Sequence, residues 1–360
     1  MTEERFIETD LILNPIIKDW FIDGGDNLGD LIYKYGEPHR YYHNINHLRK
    51  LLLKCEESEL SKNNKWLMQI VILFHDHIYD PRNPAQNEIA SAEAFKNAVK
   101  DKYRTHKMFK MAYEAIEASD YKTKVSKDNF IFRELRRIDL IEPLFYATIS
   151  ELITNEALIR KEYQYAPYEK YIEGRVKFLG GLNRYSENII ELLKYIQNYT
   201  LNVGLYAGSF NPFHIGHLDI LEQAEKHFDK VIVLLAINPD KHSSPSADLT
   251  LKTNLQRILP FHEVDYTCGL LTLYVQFLRG KKQRVTVVRG LRNGYDLDYE
   301  LNIKSFMDEI GYGVDFVYFV SQINKQHISS SAVRGIEKFD KFVADKYLPK
   351  KYSYYTTPIY

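Results

Sequence analysis

The hydrophobic pattern of the chain changes near residue 200, and this change constrains the fold most. Up to about Tyr199, apolar residues recur at three- and four-residue spacing, as in HLRKLLLKCEE and KWLMQIVILFHD, which is typical of amphipathic helices. After Thr200, the short apolar runs NVGLYA, KVIVLLAI, RVTVVRG and VDFVYFV each precede a segment with helical spacing. Alternating strands and helices predict a parallel sheet with right-handed crossovers. The sequence therefore predicts an all-α domain over residues 1–200 and an α/β domain over residues 201–360.

Charge and cysteine content exclude several classes of protein. The 48 Lys and Arg residues balance 48 Asp and Glu residues, so no overall field attracts nucleic acid or an anionic membrane. Cys55 and Cys268 lie far apart and form no zinc-type spacing. The N-terminal ten residues lack the apolar core of a signal peptide, and the apolar stretch 231–237 is much shorter than the ~20 residues that span a bilayer. We expect a cytoplasmic homo-oligomer that binds neither nucleic acid nor membrane.

A strand-to-turn segment early in the second half predicts a phosphate site. The strand is expected to end at Ala207, Gly208 permits a sharp turn, and a helix is expected to begin near Ile215. This arrangement directs backbone N–H groups at the mouth of the sheet, where helix N-termini favour phosphate. His214 and His217 share one face of that helix, and a neutral imidazole can donate a hydrogen bond to a phosphate oxygen.

Four ordered blocks carry a family resemblance. GSFNPFHIGH resembles the signature of the nucleotidyltransferase superfamily, which joins a nucleoside monophosphate to a phosphate or carboxylate acceptor. VVRGLRNGYDLDYELN at 287–302 and ISSSAVR at 328–334 are similar to blocks of bacterial pantetheine-phosphate adenylyltransferases, and NPDK at 238–241 falls where that family has its substrate lysine. ISSS stands in place of the RTxGxST-like motif of cytidylyltransferases. The resemblance implies a Rossmann-like fold that transfers AMP from ATP to 4′-phosphopantetheine, giving dephospho-coenzyme A and pyrophosphate.

The same resemblance implies roles for individual residues. His217 would stabilise the transition state, and Lys241 and Arg289 would hold the acceptor phosphate as further catalytic residues. Ser209 and Leu271 would also contact the acceptor. Mg²⁺ would arrive with ATP and be held largely by its phosphates. The implied ATP-binding residues are Gly208, Ser209, Phe210, His214, His217, Gly290, Arg292, Glu300, Ser329, Ser330 and Ser331.

The acceptor has an alternative. Bacterial pantetheine enzymes usually have Thr where His214 stands, and the HxGH form is commoner in nicotinamide-nucleotide adenylyltransferases. GLLTLY at 269–274 also lacks the acidic residue often found before the substrate-lining pair. Nicotinamide mononucleotide therefore remains the alternative acceptor.

The first half contains a candidate metal site. His75 and Asp76 are predicted to lie inside an apolar helix, where a carboxylate needs a partner, and imidazole with carboxylate suits a divalent transition metal. With His47 upstream and Asp139 downstream, the order His…His-Asp…Asp is that of the HD superfamily of metal-dependent phosphohydrolases. YHNxxH, FHDxxYDP and NExxSA resemble one branch of predicted HD phosphohydrolases. The resemblance implies an all-α HD domain in which His47, His75, Asp76 and Asp139 bind Mn, Fe, Ni or Zn and a small phosphorylated substrate is hydrolysed.

Two alternatives remain for this half. Asp139 could instead pair with Arg136 or Arg137 on a helix. The family often has a His after the helix that corresponds to residues 113–119, where this chain reads IEASDYK. A domain that regulates or oligomerises the transferase without hydrolysing anything therefore stays open.

Overall fold

The computed structural model describes residues 19–22, 28–182, 186–237, 245–311 and 313–350. The chain divides into two compact units. The helical unit comprises residues 1–162 and 181–194, and the sheet unit comprises residues 163–180 and 195–360. The predicted boundary at residue 200 differs from this division, because residues 163–180 group with the sheet unit.

The described part of the first 200 residues is helical. Its helices are α1 Leu28–Lys34, α2 Ile45–Glu57, α3 Lys62–His75, α4 Pro84–Ala98, α5 Lys107–Glu117, α6 Phe130–Arg136, α7 Glu142–Phe145, α8 Ile149–Glu162, α9 Tyr168–Gly180 and α10 Glu187–Asn198. A π-helical turn, Arg137–Ile141, joins α6 to α7, and a 3₁₀ turn, Asp101–Tyr103, follows α4. Helix α9 and the end of α10 belong to the sheet unit.

Helix α3 forms the centre of the helical unit. Every residue from Leu67 to His75 is buried, as expected for a helix that is apolar on nearly all sides. Helix α2 begins where the Asn44 side chain accepts hydrogen bonds from the backbone N–H groups of Asn46 and His47, which satisfies donors that a helix start leaves free. The start of α2 and the end of α3 thereby fix the backbones of His47 and His75.

The sheet unit is built on five parallel strands. The strands are β1 Leu201–Gly208, β2 Lys230–Ala236, β3 Glu263–Thr267, β4 Gln283–Leu291 and β5 Asp315–Val320, in the order β3-β2-β1-β4-β5. Its further helices are α11 Ile215–Ala224, α12 Pro245–Ile258, α13 Leu271–Arg279, α14 Gly294–Ile310, α15 Ser330–Glu337 and α16 Lys341–Ala344. Short 3₁₀ turns lie at Ile323–Lys325 and Asp345–Tyr347. The predicted parallel α/β arrangement is confirmed.

The strand order positions the site. Strands β1 and β4 are neighbours although two strands separate them in sequence, so the order reverses between them. Ligands of open α/β sheets bind in the crevice at the carboxyl ends of the strands at such a reversal. The chain segments that follow β1 and β4 therefore meet at one crevice.

Strand β3 is absent from the sequence-based prediction, which identified four strands. It lies at the sheet edge and pairs with β2 alone. Four of its five residues are partly exposed, so it lacks the continuous apolar run that buried parallel strands have.

Among the described residues, no helix combines the length and hydropathy that a membrane span requires.

Candidate functional sites

The four predicted metal ligands lie together in the helical unit. His47 is in the first turn of α2 and His75 ends α3, while Asp76 caps α3 and Asp139 lies in the π-helical turn. The Nε2 atom of His47 is 3.1 Å from Oδ1 of Asp139, and Nε2 of His75 is 3.0 Å from Oδ2 of Asp76. Ligand atoms of His47, His75 and Asp139 lie within 4.8 Å of one another, and Oδ2 of Asp76 is 3.9 Å from Nε2 of His47. We call these four residues the HD cluster.

The imidazole orientations fit a cation at the HD cluster. Nδ1 of His75 donates to the carbonyl of Ile72 at 2.8 Å, which leaves the Nε2 lone pair of the neutral ring facing the carboxylates. The buried Nε2 atoms of His47 and His75 have no hydrogen-bond partner among the described residues. A lone pair that faces a carboxylate at about 3 Å requires a proton or a metal ion between them. Without a metal, burial favours the neutral ring, but the Asp76 carboxylate prevails and raises the pKa of His75 to about 9.

Asp139 does not pair with the neighbouring arginines. Arg137 instead binds Glu134 and Glu142, and the Tyr121 hydroxyl donates to Asp139. π-Helical turns are rare and often occur at functional sites. The turn here directs the Asp139 carboxylate towards His47.

A buried arginine fixes the segment after α3, and sequence reasoning missed it. Nη1 of Arg40 donates to the carbonyl of Asp76 at 2.7 Å, and Nη2 donates to the carbonyl of His77 at 2.9 Å. Its Nε donates to Glu37 at 2.9 Å. Asp76 is thus held just beyond the helix, where the sequence placed it inside one.

A buried carboxylate beside the HD cluster was also missed. Glu162 accepts hydrogen bonds from Nδ1 of His43 at 2.7 Å and from the Tyr79 hydroxyl at 2.6 Å. It also accepts from the backbone N–H groups of Tyr42 and His43. Because Glu162 lies more than 110 residues from His43, no local pattern could have joined them.

The sheet unit has a cavity of about 330 Å³ at the carboxyl ends of β1 and β4, within the range of small-ligand sites. Twelve predicted residues line it. They are Gly208, Ser209, Phe210, His214, His217, Arg289, Gly290, Arg292, Glu300, Ser329, Ser330 and Ser331. Three segments that are far apart in sequence therefore converge on one site.

His214 and His217 begin α11 and form a stacked pair. Nδ1 of His214 accepts from the N–H groups of Gly216 and His217, and Nδ1 of His217 accepts from the N–H of His214 at 3.2 Å. Their ring centroids are 3.6 Å apart. Since both Nδ1 atoms accept, each neutral ring carries its proton on Nε2.

Both rings favour the neutral state. Burial lowers the pKa of His214 to about 4. Burial, with smaller contributions from His214 and Arg292, lowers the pKa of His217 well below its usual value. The site therefore presents neutral N–H donors.

Two glycines leave space that side chains would fill. A Cβ at Gly208 would lie 2.9 Å from the Phe210 ring, and a Cβ at Gly290 would lie 2.8 Å from Cγ1 of Ile220. Real Cβ atoms do not approach so closely. Glycine at both positions thus permits the close packing of β1, β4 and α11 around the cavity.

The arginines of the cavity are already paired with carboxylates. Nε of Arg289 donates to Glu300 at 2.7 Å, its Nη2 donates to the same carboxylate, and its Nη1 donates to the carbonyl of Ala207. Arg292 binds Asp296 through Nε and Nη2, both at 2.9 Å. The sequence assigned Arg289 to the acceptor and Glu300 to ATP, whereas the structure joins them in one bidentate pair.

The predicted serines form the start of α15. Oγ of Ser329 accepts from the N–H of Ala332 and so caps the helix, and Ser330 donates to the carbonyl of Pro212 at 3.0 Å. Arg334 donates to Ser331 at 3.2 Å. These contacts fix a helix N-terminus at the cavity, where free N–H groups favour phosphate.

Comparisons with known proteins agree with this site. Residues 205–336 match the cytidylyltransferase-like family. The phosphopantetheine adenylyltransferase of Clostridium perfringens is 33% identical over 153 residues, which cover 42% of this chain and 90% of the relative. The chain belongs to the phosphopantetheine adenylyltransferase family.

Further relatives carry the same name. The phosphopantetheine adenylyltransferase of Streptococcus gordonii is 35% identical over 151 residues, covering 41% of this chain and 89% of the relative. The phosphopantetheine adenylyltransferase of Mycoplasma capricolum is 31% identical over 141 residues, which cover 39% of this chain and 100% of the relative. The family match at 205–336 lies within the sheet unit, so the family membership applies to that unit.

The structure does not test the role of one residue predicted from the family, and it places another outside the cavity lining. Lys241 lies outside the described residues. Leu271 begins α13, and the described residues that line the cavity do not include it. Their roles stay predictions.

The cavity has further lining residues that the sequence-based site did not include. They are Tyr206, Ala207, Gly216, Ile220, Asp296, Tyr299, Ser321 and Ile328. Ser321 directly follows β5, so the strand order could have indicated it. Asp296 and Tyr299 belong to the block at 287–302 that carried the resemblance.

Proposed function

We propose that the sheet unit transfers AMP from ATP to 4′-phosphopantetheine, releasing pyrophosphate and forming dephospho-coenzyme A. The observation that carries the proposal is the convergence of residues 208–217, 289–300 and 329–331 on one cavity. Phosphopantetheine adenylyltransferases that share about a third of their residues with this chain support the choice of reaction.

The reaction needs positioning and charge stabilisation rather than a protein nucleophile. An oxygen of the acceptor phosphate attacks the α-phosphorus of ATP, and the bond from that phosphorus to the pyrophosphate oxygen breaks. Nε2–H of His217 donates to the α-phosphate oxygens, whose charge grows in the transition state. The N–H groups at the start of α15 hold the outer phosphates of ATP.

The cavity fits Mg²⁺ that is carried by ATP. Its carboxylates Asp296 and Glu300 are both bound bidentately by arginines, so neither offers a free ligand pair. Mg²⁺ usually keeps several waters and binds through substrate phosphates. When bound with ATP, the ion would supply neutralisation of the phosphate charge.

An acceptor panel tests the proposal. Pyrophosphate release from ATP is measured with 4′-phosphopantetheine, with nicotinamide mononucleotide and with neither. We expect release with phosphopantetheine only, together with a dephospho-coenzyme A product in the mass spectrum. Release with nicotinamide mononucleotide alone would move the enzyme to NAD synthesis, and no release with either would reject adenylyl transfer to both.

For the helical unit, we propose a metal-dependent phosphohydrolase. Two buried imidazole Nε2 atoms that face carboxylates without a hydrogen bond are the observation that favours it. A divalent metal held there by the HD cluster would supply hydroxide near neutral pH for attack on phosphorus. The ligand chemistry suits Mn, Fe, Ni or Zn.

Metal analysis and a phosphate-release panel test this second proposal. We expect about one transition-metal ion per purified chain and release of phosphate from at least one phosphorylated metabolite. Metal without release from any substrate would favour a regulatory or oligomerisation role for the helical unit. A chain that binds no transition metal would reject both the metal centre and the hydrolysis.

A further inference from the structure

A buried carboxylate lies on α11 two residues after His217, and the proposed chemistry does not use it. Asp219 is 2% exposed and does not line the cavity. Its Oδ1 accepts from Nζ of Lys325 at 3.0 Å, and its Oδ2 accepts from the backbone N–H of Gln322 at 3.0 Å. A buried carboxylate is costly unless it is paired and hydrogen-bonded. Here the partners come from residues 106 and 103 positions later in the chain.

Both partners of Asp219 belong to one connecting segment. Residues 321–329 join β5 to α15, and we call them the β5–α15 segment. Both ends of this segment line the cavity, through Ser321 at one end and Ser329 at the other. The two donors to Asp219 lie between these ends. Asp219 therefore fixes the middle of a segment whose ends form part of the cavity wall.

Helix α11 makes further contacts with the same part of the chain. Nε2 of Gln223 donates to the carbonyl of Val320 at 3.2 Å and to Oδ2 of Asp219 at 3.3 Å. A Cβ at Gly216 would lie 3.7 Å from the carbonyl oxygen of Lys325, which is ordinary van der Waals contact. The helix that begins at the histidine pair thus contacts both the end of β5 and the 3₁₀ turn that follows it.

We infer that Asp219 is a positioning residue, which fixes the β5–α15 segment, and with it the start of α15, relative to His217. The inference rests on the proposed function, in which His217 contacts the α-phosphate of ATP and the N–H groups of α15 hold the outer phosphates. Because both groups act on one ATP molecule, their separation must match its phosphate chain. A misplacement of about 1 Å can cost about 10² in rate.

Steady-state kinetics of the full chain test this role. Asp219→Asn keeps the shape of the side chain but leaves Lys325 without its carboxylate. We expect kcat for pyrophosphate release to fall by about 10- to 100-fold at saturating substrates. The acceptor KM should stay within about twofold, because Arg289 lies outside the β5–α15 segment. Lys325→Gln should also lower kcat, and the double variant should be no slower than the slower single variant, because both changes break one contact.

Glu263→Gln is the matched control. It removes the carboxylate from another ion pair of the sheet unit, formed by the buried Lys230 with Glu263. These two residues begin β2 and β3, so they lie at the amino ends of the strands, opposite the cavity. We expect Glu263→Gln to lower the Tm while kcat stays within about twofold of the wild type. If Asp219→Asn lowers the Tm but keeps the wild-type kcat per folded chain, Asp219 is only structural and the inference is overturned.

Hydrogen exchange separates this inference from the proposed reaction, because ATP is added to the full chain without any acceptor. We expect ATP to slow amide exchange within residues 321–334 of the wild type, and this protection to be at least about threefold weaker in Asp219→Asn. Equal protection in the two proteins, or none in the wild type, would overturn the inference. Protection that depends on Asp219 in a chain that transfers AMP to no acceptor would support the inference and reject the proposed function.

Discussion

In the helical unit His75 lies 3.0 Å from the carboxylate of Asp76, whereas in the sheet unit His217 stacks on His214 near Arg292. His75 is buried and His217 is partly buried, and burial alone favours the neutral imidazole at each. The neighbours differ, so the outcomes differ: the pKa of His75 rises to about 9, and that of His217 falls well below its usual value. Histidine therefore favours the protonated state in one unit and the neutral state in the other.

The comparison shows what each site lacks. The HD cluster combines two carboxylates with two imidazoles, and we propose that a cation completes it. In the sheet unit the cavity carboxylates Asp296 and Glu300 are neutralised by arginines, and the free groups are N–H donors. That cavity is completed by an anion.

Removing one charge from the HD cluster should have the largest effect. Asp76→Asn keeps the shape of the side chain but removes the anion that faces His75 and His47. We expect the metal content to fall from about one ion per chain to nearly none, as measured by elemental analysis. Adenylyl transfer should be unchanged, because the substituted residue lies in the other unit.

Asp128→Asn is the matched control for that change, since Asp128 is exposed and outside the HD cluster. Equal metal content in Asp76→Asn and in the wild type would show that Asp76 is not a ligand.

Removing the imidazole of His217 should reduce transfer by two to three orders of magnitude. His217→Ala loses one donor to the charge of the transition state, a loss that typically costs about 10²–10³ in rate. The Kd of ATP should change little, because the bond is strongest in the transition state. Steady-state pyrophosphate release and ATP titration separate the two quantities.

His227→Ala controls for the loss of a histidine in the same unit, since His227 is exposed and does not line the cavity. Normal turnover of His217→Ala at saturating substrates would contradict the assigned role.

Replacing Arg289 by lysine should have an intermediate effect. Lysine keeps the charge but cannot form the bidentate hydrogen bonds that a guanidinium makes to a carboxylate or phosphate. We expect the acceptor KM of Arg289→Lys to rise about tenfold, equivalent to about 1.4 kcal/mol. The ATP KM should stay within about twofold if Arg289 holds the acceptor.

Arg284→Lys on the same strand is the control, because Arg284 is exposed and does not line the cavity. If Arg289→Lys lowers the Tm and raises the KM of ATP and of the acceptor equally, the pair of Arg289 with Glu300 is structural instead.

The pH profile should show the smallest effect. Because the pKa of His217 is lowered well below 6.5, the ring stays neutral as the pH falls from 8 to 6, and protonation begins only at more acid pH. An imidazole with the usual pKa would lose half of its neutral form near pH 6.5. We expect kcat for transfer to change less than about twofold between pH 6 and 8. A fall in kcat with its midpoint near 6.5 would contradict a neutral His217.

Much of the framework was predictable because it depends on local pattern. The change in hydrophobic spacing near residue 200 predicted the helical first half and the parallel sheet. Helix α11 begins at Ile215, as expected. Strand β3 was not predictable, because its sequence EVDYT lies at a sheet edge and needs no continuous apolar run.

The sequence predicted part of the membership of each site but none of the pairings within it. Short sequence blocks indicated which residues line the cavity, yet spacing alone could not show that Arg289 binds Glu300 or that His43 binds Glu162. Such pairs depend on how distant segments pack. The expected homo-oligomer, the bound Mg²⁺ and the role of Lys241 stay predictions.

The register of the central strand has a consequence for synthesis. Leu201 of β1 pairs with Gln283 of β4, about 80 residues later, so β1 has one unpaired edge until β4 leaves the ribosome. At roughly 5–20 residues per second, that interval is on the order of ten seconds. An unpaired strand edge is a site of aggregation. All four residues of the HD cluster precede β1, so the nascent chain contains the whole proposed metal site well before it can form the adenylyltransferase sheet.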